Sequence, residues 1–164
     1  GMTLRGCIED ALGRATPRQA EAFRLYCGIG CEPHTLEAVG AHLAVTRERA
    51  RQLRDSVWTK AVERHPEVLS AYGRLAEELE GRSAPLTAAD MAFADTWFAG
   101  MENAPGLLDF VLDKASGGDL HSWTLDGKVI ISRCKREKWL AIRSAAKELL
   151  EGASARNLTK GQAW

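Results

Sequence analysis

Three threonines set the frame of this chain. Thr16, Thr35 and Thr46 each stand directly before a stretch with helical spacing of apolar residues. A threonine there caps a helix, because its hydroxyl accepts an amide hydrogen that the first turn leaves unpaired. Thr16-Pro17-Arg18-Gln19 adds Pro at the first helical position and Gln at the third, a capping box. Between the caps there is room only for turns. Gly28-Ile29-Gly30 is flexible, Pro33 keeps the chain extended before Thr35, and Ala44-Val45 is a tight break before Thr46. The punctuation predicts a helix from Pro17 to near Gly28, a short one from Leu36 to Leu43, and a long one from Thr46 to about Arg64, stopped by Pro66. Leu36, Val39 and Leu43 stripe one side of the short helix. In the long helix Ala50, Leu53, Val57 and Ala61 face inward, with Arg47, Glu48, Arg51, Gln52 and Asp55 on the other side.

The flanks read less sharply. Leu4 to Gly13 has helical spacing, Pro66 opens a further helix through Leu79, and Gly81-Arg82-Ser83-Ala84-Pro85 reads as a linker. Beyond it, Thr87 caps a helix to about Gly100, with Asp90 at the third position and a Leu86–Met91 staple. Another helix runs from Pro105 to Ala115. His121–Leu125, Asp126-Gly127 and Lys128–Ser132 make a two-residue hairpin of the kind an Asp-Gly turn favours, placing Trp123 opposite Ile130. A last helix, Arg136 to Leu150, is expected to bury Trp139, Ile142, Ala146 and Leu149, and the tail after Gly152 reads as polar and loose. The expected fold is mainly α in two domains. Residues 1–82 form a helix-turn-helix domain. Residues 83–164 form a small helical domain with one β-hairpin, winged-helix-like in outline.

Composition narrows the function classes. Lys plus Arg and Asp plus Glu each number 22, so no overall charge draws the chain to nucleic acid, and a coating protein is excluded while a local reading head is not. The charge is nonetheless sorted. Ala84 to Gly127 holds seven acids and one Lys, whereas Lys128 to Lys147 holds seven basic residues and one Glu. No apolar run approaches the roughly 20 residues that span a bilayer, and the start has no signal-peptide pattern, so a cytoplasmic protein without membrane attachment is expected. Gly1 before Met2 reads as an addition and carries no argument. The stop at Trp164 also fits the DNA-targeting piece of a longer protein.

Cys7, Cys27, Cys31 and Cys134 have no framework spacing. Cys27-x3-Cys31 with His34 lacks the paired ligands of a zinc motif, so the cysteines read as structural, with no metal and no cofactor expected. There is no phosphate loop and no nucleophile–base constellation, so no enzyme is expected.

The helix pair Leu36–Leu43 and Thr46 onward has the geometry a helix-turn-helix needs, with the outer N-terminal face of the second helix free to enter a major groove. Arg47, Arg51 and Gln52 can bind purine edges, Glu48 can accept from cytosine, and Arg49 and Arg54 are assigned to phosphates. The basic hairpin edge and the basic residues after it, Lys128, Arg133, Lys135, Arg136 and Lys138, form an accessory DNA surface in this reading. Pro105–Ala115 makes a poor DNA reader, since Asp109 and Asp113 accompany only Lys114.

Phe23-Arg24-Leu25-Tyr26-Cys27-Gly28-Ile29, His34-Thr35-Leu36-Glu37-Ala38-Val39-Gly40 and Val45-Thr46-Arg47-Glu48-Arg49-Ala50-Arg51-Gln52-Leu53, closing on His65-Pro66, resemble in order and spacing region 4 of primary-type bacterial sigma-70 factors. The match spans about 50 of the 164 residues. The resemblance implies recognition of the minus-35 promoter element of double-stranded DNA and docking on RNA polymerase. It implies base-reading or groove-edge roles for Arg47, Glu48, Arg51 and Gln52. Thr35, Leu36 and Glu37 match the start of the supporting helix near the DNA backbone, and Thr46 caps the reading helix. Ala50 stands where such factors carry a bulky aliphatic residue, and Arg54-Asp55-Ser56-Val57-Trp58 replaces their Lys- and Leu-rich stretch. No segment resembles the regions that bind the polymerase clamp or melt the minus-10 element. The expectation is a transcriptional regulator rather than a complete sigma factor. The alternative is an adaptor that binds polymerase or an anti-sigma partner through the same fold.

Overall fold

A computed structural model describes the backbone of residues 1–160. The chain is mainly helical, with α1 (Leu4–Arg14), α2 (Pro17–Cys27), α3 (Leu36–Leu43), α4 (Arg47–Arg64), a 3-10 turn at Pro66–Ser70 running into α5 (Ala71–Leu79), α6 (Ala88–Ala94), α7 (Pro105–Ser116) and α8 (Arg136–Lys160). Three strands, β1 (Leu86–Thr87), β2 (His121–Leu125) and β3 (Lys128–Ser132), make one antiparallel sheet in the order β1-β3-β2. No helix among the described residues is long and apolar enough to cross a membrane.

The caps form as the threonines dictate. Thr16 accepts from the Gln19 amide and Gln19 reaches back to the Thr16 amide, closing the capping box. Thr35 accepts from Ala38 at 3.1 Å and Thr46 from Arg49 at 3.1 Å. The break between α3 and α4 rests on two backbone details. Ala44 adopts the left-handed region, φ 58°. Gly40 lets the Val45 carbonyl approach to where a Cβ would lie only 2.8 Å away, so only glycine fits there. Asp126 and Gly127 both have positive φ, as a type I′ turn requires, and Trp123 pairs with Ile130 in the expected register.

Four expectations fail, each for a physical reason. The segment before Leu86 does not separate two domains. Leu86–Thr87 instead adds a third strand, Leu86 opposite Ile131 and Thr87 opposite Ile130, with Leu86 buried. One apolar core joins Leu4, Ile8, Phe23, Val57 and Leu75 to Leu86, Leu108, Phe110, Leu120 and Ile131. Compact units divide at Arg133/Cys134 rather than at 82/83. The helix from Thr87 does not reach Gly100. Asp95 takes an extended conformation and accepts from the Trp97 amide, starting a 3-10 turn at Thr96–Phe98 that Gly100 follows in left-handed geometry. In α8, Ile142 and Leu149 are exposed and so is Ala146, because a single helix within its own unit has no second layer to bury against. Finally, α8 continues to Lys160 in place of the loose tail that the polar composition suggests; residues 161–164 of that tail lie outside the described residues.

Backbone contact between the two halves is close. A Cβ on Gly106, in the first turn of α7, would fall 2.0 Å from the Cys27 carbonyl that ends α2. Residues 1–82 cut away from the rest should therefore show no cooperative urea transition, since Phe23, Val57 and Leu75 lose the partners that bury them. A cooperative transition of that fragment would contradict the shared core.

Candidate nucleic-acid interface

The capped starts of α3 and α4 bring most of the sequence-assigned residues onto one surface. Thr35, Glu37, Thr46, Arg47, Glu48, Arg49 and Gln52 are exposed there and Arg51 is half-buried. A small separate core of Ala22, Val39, Ala50 and Leu53 holds the two helices against α2. Ala50 is small enough to let α4 lie close, which accounts for its place where sigma factors carry a bulkier residue.

The charged side chains on this surface are paired. Arg47 Nε donates to Glu37 Oε1 at 2.8 Å, bridging α4 to α3. Arg51 Nε donates to Glu48 Oε2 at 3.0 Å, and its Nη1 to Asp55 Oδ2 at 3.0 Å. The Glu37 carboxyl is held below its ordinary value first by its own backbone amide and then by Arg47. The Arg51 guanidinium does the same to Glu48. Gln52 Nε2 reaches Glu48 at 3.5 Å, and Arg49 Nη1 reaches Gln52 Oε1 at 3.4 Å. Exposed pairs of this kind are worth about 0–1 kcal/mol, so each arginine can exchange its glutamate for a stronger acceptor at small cost.

Two assigned residues do not belong to the surface. Leu36 is buried and anchors α3 from within, so it touches no DNA. Arg54 is buried as well, 7% exposed. Its guanidinium lies 4.5 Å from the Tyr26 ring centroid and 5.2 Å from that of Phe110, and its Nε donates to Asp55 Oδ1 at 2.8 Å. It is a packing residue, because position 54 falls one helical turn after Ala50 on the inward side of α4. A planar cation over two rings is worth more here than in water.

One residue is added. Arg18 Nη2 donates to the Leu43 carbonyl at 2.8 Å, closing the end of α3 from the first turn of α2. No local pattern signals it, since the two residues are 25 apart in sequence. The surface thus offers Arg18, Arg47, Arg49 and Arg51 against Glu37 and Glu48, a modest positive excess.

The accessory residues divide. Lys128 and Arg133 belong to the first compact unit and Lys135, Arg136 and Lys138 to the second. Arg133 is held by Asp119, which also accepts from Tyr72 Oη at 2.8 Å. In α7, the helix whose acids make it a poor reader, Leu107, Leu108, Phe110, Val111 and Leu112 are all buried. Elsewhere the fold gathers Cys7, His65 and Glu67, a group that sequence spacing does not connect.

Compared with known proteins, the chain is 40% identical over 65 residues to the RNA polymerase sigma factor RpoD of Neisseria gonorrhoeae. The matched stretch is 39% of this chain and 10% of that protein, so the chain spans about a tenth of its relative's length. No family model and no solved structure matches. The chain carries a sigma-factor-like stretch.

Asp55 ties this surface to the core, binding Arg51, Arg54 and Lys114 Nζ at 3.3 Å. Burial pushes its carboxyl up, but Arg54 and Lys114 outweigh that and hold it below the ordinary value. Its contribution to stability is present above the unfolded carboxylate range and lost as pH falls through the depressed folded value. Arg54→Ala should cost about 2–4 kcal/mol in urea unfolding, through lost ring contacts and a stranded carboxylate. Arg49→Ala should cost about 0.5 kcal/mol or less. Equal costs would show that Arg54 is not the packing residue described.

Proposed function

We propose that this chain is a DNA-binding transcription regulator that reads a minus-35-like element with a sigma region 4-like helix-turn-helix, α3 and α4. The observation that carries the reading is the exposed Arg47, Glu48, Arg51 and Gln52 face of α4 within the stretch similar to a sigma factor. These side chains are able to read base edges in a major groove, with Arg49 and Arg18 placed for phosphates. The order β1, α6, α7, β2, β3 with sheet order β1-β3-β2 supports reading the remainder of the first unit as a winged-helix-like scaffold. Its α7, packed into the core, serves as structural support rather than as a second reading helix. No catalytic role and no cofactor is part of this proposal, and a cytoplasmic setting accompanies it.

A second reading is favoured by one feature, the internal pairing of Arg47 with Glu37 and Arg51 with Glu48. A surface whose charges already compensate one another suits an adaptor that meets RNA polymerase or an anti-sigma partner and reads DNA weakly or not at all.

Fluorescence anisotropy with the full chain separates the two. A duplex bearing a minus-35-like element should bind tighter than a scrambled duplex at physiological salt. Arg47→Ala or Gln52→Ala should erase most of the difference, roughly 1–3 kcal/mol for a good base contact. Arg49→Ala should weaken both duplexes alike and lower the salt slope by about one unit. Absence of any preference, with co-purification of polymerase, would overturn the promoter reading in favour of the adaptor.

A further inference from the structure

We propose that Cys7, His65 and Glu67 form a binding site for a divalent metal ion of the zinc class, clamping α1 to the far end of α4. The three come from separate elements: Cys7 from the middle of α1, His65 from the C-cap of α4, Glu67 from the 3-10 turn that Pro66 opens. Each offers one donor atom, and the three atoms lie within 4.8 Å of one another. Cys7 Sγ stands 3.7 Å from Glu67 Oε1, and His65 Nδ1 stands 3.6 Å from the same oxygen. Zinc bond lengths in a tetrahedron put neighbouring S, N and O ligands about 3.3–3.5 Å apart, so little movement closes the site.

The histidine is already oriented for the task. His65 Nε2 lies 2.8 Å from Asp10 Oδ2, and Asp10 also accepts from Arg64 Nε at 3.0 Å and Arg14 Nε at 3.3 Å. A carboxylate serving three donors leaves His65 Nε2 as donor and Nδ1 with its lone pair toward Cys7 and Glu67. This is the carboxylate–histidine support that metal sites use to fix the ring and its tautomer.

Burial grades across the cluster. Cys7 is fully buried, the His65 side chain is 16% exposed and that of Glu67 47%. An ion enters past Glu67, and water takes the fourth position. The thiol proton leaves to solvent on binding, and the thiolate and carboxylate then balance the two charges of the ion. One sulfur, one nitrogen and one oxygen donor suit a borderline ion and disfavour magnesium or calcium. Of the other cysteines, Cys31 is exposed, and its Sγ faces the Arg24 carbonyl at 3.9 Å.

The test uses the full chain, stripped with a chelator and titrated with zinc or cobalt alone. One ion per chain should bind, cobalt should give thiolate charge-transfer absorption with tetrahedral d–d bands, and saturating zinc should raise Tm by about 5 °C or more. Cys7→Ser should abolish the charge-transfer absorption. Glu67→Gln, at a half-exposed position that should not disturb folding, should weaken zinc binding at least tenfold. Asp10→Asn should weaken it by about 10–100-fold through His65. Cys31→Ser should leave the spectrum unchanged. Absorption that survives Cys7→Ser, that disappears with Cys31→Ser, or that never forms would overturn the site, as would unchanged zinc affinity in Glu67→Gln. None of these readouts depends on DNA binding.

Discussion

The packing of one ring, Phe110, holds the rest of this structure in place. It meets Phe23 edge to face at 5.2 Å, Tyr26 at 6.0 Å and Trp58 at 6.2 Å, joining α7 to α2 and α4 at a single point. Arg54 and Lys114 lie over the same ring, and Asp55 pairs with both. An aromatic side chain this enclosed carries several kcal/mol of burial, with added terms for edge-to-face geometry and for cations over its face. The consequence for function is rigidity. The outer face of α4 is presented by a helix whose inner face is fastened to the second half of the first unit. Such anchoring leaves the charged side chains outside free to serve recognition.

What was legible in the sequence is local. Threonine caps, the Ala44-Val45 break, the Asp-Gly hairpin and its Trp123–Ile130 register all depend on interactions within a few residues, and the structure has them. The two misplaced interface residues were also open to a closer reading of period. Leu36 belongs to the Leu36, Val39, Leu43 stripe, and Arg54 shares the side of Ala50, Val57 and Ala61, so helical spacing alone turns both inward. An arginine there defeats pattern reading because the usual rule sends charge outward, and only the two rings on α2 and α7 make its burial tolerable.

The rest required distance in sequence. Gly81 to Pro85 has the composition of a linker, and nothing local reveals that Leu86 will pair with Ile131 or that Gly106 must accommodate the Cys27 carbonyl. The contacts of Arg18 with Leu43 and of His65 with Asp10 are equally non-local. Gathering of Cys7, His65 and Glu67 belongs to the same class, since α1 and the end of α4 meet only after the core has formed.

The central claim is that the capped starts of α3 and α4, and not the helix buried beneath them, form the DNA-facing surface. Amide chemical-shift mapping of the full chain during titration with a minus-35-like duplex tests it most directly. The account predicts perturbations concentrated at Thr35, Glu37 and Thr46–Gln52, with α7 from Leu107 to Leu112 unaffected. Perturbations centred on α7 or the β2–β3 hairpin, with the Thr46–Gln52 amides unmoved, would contradict it.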